Sequence, residues 1–142
     1  MAARLVGGFP DNFTVEATVT AGTAVAAGDI LAISGNVLER ATSSSTIHTI
    51  FGVAAETITT AASLIKVIPF VQGQLWEMDC NSNTHASNQR FESYALTDHA
   101  KVANDSTDVT GATGVFFLVA PIGAVGDKKA IGEFTRLQST ST

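Results

Sequence analysis

Leu64-Ile65-Lys66-Val67-Ile68-Pro69-Phe70-Val71 and, one residue later, Gly73-Gln74-Leu75-Trp76-Glu77-Met78-Asp79 decide the fold class of this chain. The second run alternates with a period of two, which places Leu75, Glu77 and Asp79 on one side and Trp76 and Met78 on the other. A half-buried strand produces that pattern; a helix does not. In the first run Lys66 interrupts the apolar residues, and Pro69 marks a sheet edge or a strand-end bulge because it has no N–H to give to a ladder.

Outward from this pair the same signal recurs in short pieces. Toward the N-terminus lie residues 47–55, Val37-Leu38-Glu39-Arg40-Ala41, Ile30-Leu31-Ala32-Ile33 and Thr14-Val15-Glu16-Ala17-Thr18-Val19. Toward the C-terminus come residues 91–96, the region around Val102, the apolar run 115–120, and Ala130-Ile131-Gly132-Glu133-Phe134. Val, Ile and Thr lose little on extension and pack well across a pleated surface. Residues 54–62 are rich in Ala, yet Thr57-Ile58-Thr59-Thr60 disfavours a helix there. Polar turn-rich loops are expected at 42–45, 81–90, 104–114 and 123–129.

About eight or nine short strands in one chain predict an all-β fold, a small β-barrel or β-sandwich-like domain. Residues 14–137 form that domain, preceded by an extended N-terminal arm, 1–13, and followed by a flexible tail, 138–142. Phe9 and Phe13 anchor the arm, which either wraps its own domain or reaches a neighbour.

Composition narrows the function classes. The chain has 142 residues, 45% of them apolar and only 15% charged, against about 25% charged in an average domain. Such a surface is either covered by Thr, Ser, Asn and Gly or hidden in partners. The net charge is −5, and the longest basic run, Lys128-Lys129, sits beside Asp127. Direct nucleic-acid binding is not expected, because gripping a phosphate backbone needs several clustered cations. One cysteine, Cys80, allows no internal disulfide and no CxxC pair. Neither a signal-peptide pattern nor an apolar run long enough to span a bilayer is present, so no membrane partner is expected.

Candidate chemistry is sparse. His48, His85 and His99 lack metal-site spacing, and no metal or cofactor is expected. The Asp98-His99 pair resembles an oriented base, but Ser93 lacks the glycines of a nucleophile elbow. Asp105 and Asp108 miss the calcium-loop spacing, and Gly111-Ala112-Thr113-Gly114 has no Lys-Ser/Thr after it to cradle a phosphate. Trp76 reads either as a core residue or as an interface anchor.

Val25-Ala26-Ala27-Gly28-Asp29-Ile30-Leu31 resembles the "G-x-x-V-x-A-G-D-x-L" opening of capsid decoration (cement) proteins of tailed bacteriophages. Phe51-Gly52-Val53-Ala54 and Gly73-Gln74-Leu75-Trp76 continue the resemblance. Residues 124–134, AVGDKKAIGEF, are similar to the "A-A-G-D-K-K-x-x-G-x-F" ending of related phage head proteins. The resemblance implies a non-enzymatic homotrimer that binds the major capsid protein on the outer capsid surface of the virion, after synthesis in the host cytoplasm. It also implies an arm at residues 4–13 that touches the shell or a neighbour, with Arg4, Leu5, Phe9, Phe13 and Trp76 as candidate interface residues. Gly28, Asp29, Gly52, Gly73 and Gly132 would be structural turn positions. One departure is Asn88-Gln89-Arg90-Phe91, where a glycine turn is expected. The alternatives are another virion component (head fibre base, tail tube or minor shell protein) and a carbohydrate- or ligand-binding β module that stacks on Trp76 and Tyr94.

Overall fold

The computed structural model describes residues 3–7, 14–20, 24–59, 64–105 and 111–137. Its strands are β1 (Ala3–Gly7), β2 (Val15–Thr18), β3 (Ile30–Ser34), β4 (Val37–Arg40), β5 (Ile50–Ala54) and β6 (Leu64–Pro69), then β7 (Leu75–Cys80), β8 (Glu92–Tyr94), β9 (Lys101–Val102), β10 (Phe116–Ile122) and β11 (Lys129–Phe134). The described residues contain one helical turn, a 3-10 piece at Ser87–Gln89. Residues 54–59 of the Ala- and Thr-rich stretch form no helix, and Ile58 makes a β-bridge with Val25.

Two sheets pack as a sandwich. One runs β1-β7-β11-β10-β8, with β9 beside β7; the other runs β2-β6-β5-β3-β4. The expectation of a β-barrel is therefore corrected, because neither sheet closes on itself. The second sheet curls far enough that Val19, just past β2, bridges Leu38 of β4. That is a single bridge rather than a ladder, and barrel closure needs every strand paired on both sides.

The curl explains which residues are buried. Ile30, Ala32, Ile50, Val53 and Phe70 face the first sheet, where they meet Trp76, Met78, Phe116, Leu118 and Phe134. Leu31, Ala54, Ile65 and Val67 point the other way, into a second cluster with Val19, Val25 and Leu38 inside the curl. Strand β3 is thus covered on both faces near its start, and its sequence reads as a continuous apolar run. Strand β7 has one covered face: Trp76, Met78 and Cys80 are buried, while Leu75, Glu77 and Asp79 are half-buried.

Phe70 stacks on Phe134 at 4.2 Å between ring centroids and meets Trp76 edge-on at 5.4 Å. Edge-to-face and offset pairs of this kind add about 0.5–1.5 kcal/mol each beyond the area they bury. Pro69 ends β6, an internal strand, so its missing N–H falls at the strand end rather than at a sheet edge.

The glycines assigned to turns divide into two groups. Gly28 and Gly73 do turn the chain, at φ +98° and +95°. Gly52 and Gly132 instead lie within β5 and β11. A methyl group on Gly52 would come 2.8 Å from the Cα of Pro69, and one on Gly132 would come 2.8 Å from Cε2 of Phe116. Close approach, not turning, requires glycine at both.

Part of the segment read as an arm is a strand. Residues 3–5 pair with Met78, Glu77 and Trp76, the amide of Ala3 donates to the Gly28 carbonyl at 3.2 Å, and Ala3 is buried. Phe9, Phe13 and the tail 138–142 lie outside the described residues.

Candidate functional site, an interaction surface

Asp29, Asp98 and His99, flagged in the sequence, make contacts within the fold. Asp29 is buried, and its Oδ2 accepts from the Ala26 amide at 2.9 Å, which locks the turn at Gly28. Its Oδ1 lies 3.8 Å from Nε2 of His99, and the His99 carbonyl accepts from the Ile30 amide at 2.9 Å. His99 thus faces Asp29 rather than its neighbour Asp98, whose carboxylate accepts from the Ala100 amide at 2.7 Å. The Asp98-His99 pair is not an oriented base. Ser93 lies in β8, opposite Phe117. No three His, Cys, Asp or Glu side chains among the described residues are placed to hold a metal ion.

Residues 81–90, expected to be a surface loop or to need a partner for order, are organised from within by Asn104. This fully buried side chain accepts from the Ser82 amide at 2.9 Å. It donates to the carbonyls of Ser82 and Asn83 at 3.2 Å each and to Oε1 of Gln89 at 3.0 Å. Asn81 returns the contact: its side-chain oxygen accepts from the Asn104 amide at 3.1 Å, and its amide donates to Asp105 at 3.0 Å. Thr84 then ties the loop to β11 through the Lys129 carbonyl at 2.8 Å. Nothing in the sequence separates Asn104 from other loop asparagines. Asp108 lies outside the described residues.

Trp76 is 1% exposed, and its indole N–H donates to Gln74 at 3.2 Å, so the interface-anchor reading of this residue is corrected. Its polar handle is satisfied within the core. Tyr94 is buried as well, which removes both stacking residues of the ligand-binding alternative. Cys80 is buried in strand β7, and burial, with Asp79 beside it, pushes its thiol up to about 12.

The outer face of the first sheet carries two kinds of surface. On the β1–β7–β11 side, Arg4 and Lys129 both pair with Glu77, Lys129 at 3.8 Å. Leu5 beside Arg4 is half-buried and packs against the core. On the β8–β10 side Phe117, Val119 and Ile122 are half-exposed. Phe91, just before β8, is 66% exposed, with its ring 6.3 Å from that of Phe117.

Phe91 also has φ +63°. It occupies the place where a glycine turn was expected, and the backbone adopts the left-handed conformation that a glycine would have supplied. Its amide donates to the Leu118 carbonyl at 2.7 Å and so extends the pairing of β8 with β10. An aromatic residue held there costs about 1–2 kcal/mol. No family model matches this chain, and no curated protein matches it.

A recess of about 540 Å³ is lined by Phe70, Phe134, Glu133 and Arg136 among others. Arg136 lies 4.7 Å over the Phe51 ring and donates to the Phe70 carbonyl at 3.4 Å. Its guanidinium is engaged with the protein itself.

Proposed function

We propose that this chain is a non-enzymatic structural protein that binds the outer surface of an assembled phage capsid and stabilises it between capsomers. In this reading it is a homotrimer whose other partner is the major capsid protein; it resides on the virion and is made in the host cytoplasm. One observation carries the reading beyond the sequence resemblance. Large apolar side chains stand exposed at strand ends and turns of both sheets: Leu64 at 62%, Phe91 at 66% and Val125 at 74%. The polar side chains Asp29, Gln74, Thr84 and Asn104 are instead buried within the fold.

A catalyst gathers polar groups at a cleft; a joint filler needs weak adhesive points toward several neighbours. Apolar contact contributes about 25 cal/mol per Å² buried. A modest patch repeated around a closed shell then resists internal pressure collectively.

The test is cosedimentation of the full chain with isolated heads of the same virus. Binding that saturates at a fixed number of copies per head, together with a raised temperature of head rupture, is expected. Absence of binding at saturating protein would defeat the proposal. The full chain is required, because removing residues 1–13 would strip β1 from β7 and uncover the core around Ala3.

A further inference from the structure

We draw no further inference here: the strongest candidate, the surface patch where the exposed ring of Phe91, just before β8, lies beside half-exposed Phe117 of β10, carries nothing because nothing in the structure shows what covers it.

Discussion

Replacing Asn104 with Ala should cost more than any other polar substitution in this chain, although Asn104 lies in a loop. The side-chain oxygen accepts from the Ser82 amide, and its two N–H groups are shared among the carbonyls of Ser82 and Asn83 and Oε1 of Gln89, the equivalent of three hydrogen bonds. At about 0.5–1.5 kcal/mol net each, their sum is about 1.5–4.5 kcal/mol. Ser82 and Gln89 are half-buried and Asn83 is exposed, so water can reach some of the freed groups and the loss should fall at about 2–4 kcal/mol. For a domain of this size that lowers Tm by about 6–16 °C. Thermal and urea unfolding measure the loss, and limited proteolysis or amide exchange at residues 82–90 should show the loop opening first. Asn104→Asp preserves the shape but turns donors into acceptors facing two carbonyls, and it should be at least as damaging. A loss below about 1 kcal/mol for Asn104→Ala, with the loop as protected as before, would refute the reasoning, since the loop would then be held by something other than this side chain.

Two further outcomes follow from burial. Gly132→Ala in β11 should destabilise by about 1–3 kcal/mol in denaturant unfolding, because the added methyl meets the ring of Phe116, which is fully buried and has nowhere to move. Cys80 should resist iodoacetamide in the native protein at pH 8 and react only on unfolding. Its folded pKa is raised to about 12 by burial and by Asp79, so the neutral thiol is the favoured native form. That contribution to stability is complete below the ordinary thiol range and is lost as pH rises from there toward 12. Urea midpoints of wild type and Cys80→Ala should therefore converge between pH 9 and about 12.

How much of the fold could be read from the residues depended on how many faces of a strand are covered. Strand β7 has one covered face, and its alternation was legible in full. Strands β3 and β5 lie where the second sheet faces the sandwich core on one side and its own curl on the other. Their apolar runs identified strands without showing which residue faces where. Strand β1 was taken for an arm because Ala3-Arg4-Leu5-Val6-Gly7 has no pattern of its own; its pairing with β7 spans some seventy residues of chain, and local sequence does not encode it. Sandwich could not be separated from barrel for a related reason. Closure depends on whether β2 and β4 form a ladder, and the chain stops at one bridge between Val19 and Leu38.

The surface was legible in a different way, through a mismatch between the residue present and the geometry required. The resemblance to decoration proteins implies a glycine turn within 88–91, and the chain there has no glycine but holds Phe91 in a left-handed conformation at φ +63°. A chain that supplies that conformation with a large exposed ring accepts strain and unfavourable hydration at one position. Its neighbours Ser93 and Tyr94, in β8, stay within ordinary strand geometry. Trp76 showed the reverse: an aromatic residue suited to an interface is fully absorbed by the core, its N–H held by Gln74. Residue type therefore does not tell which aromatic the core absorbs: Trp76, on the covered face of β7, is 1% exposed, and Phe91, at a left-handed turn before β8, is 66% exposed.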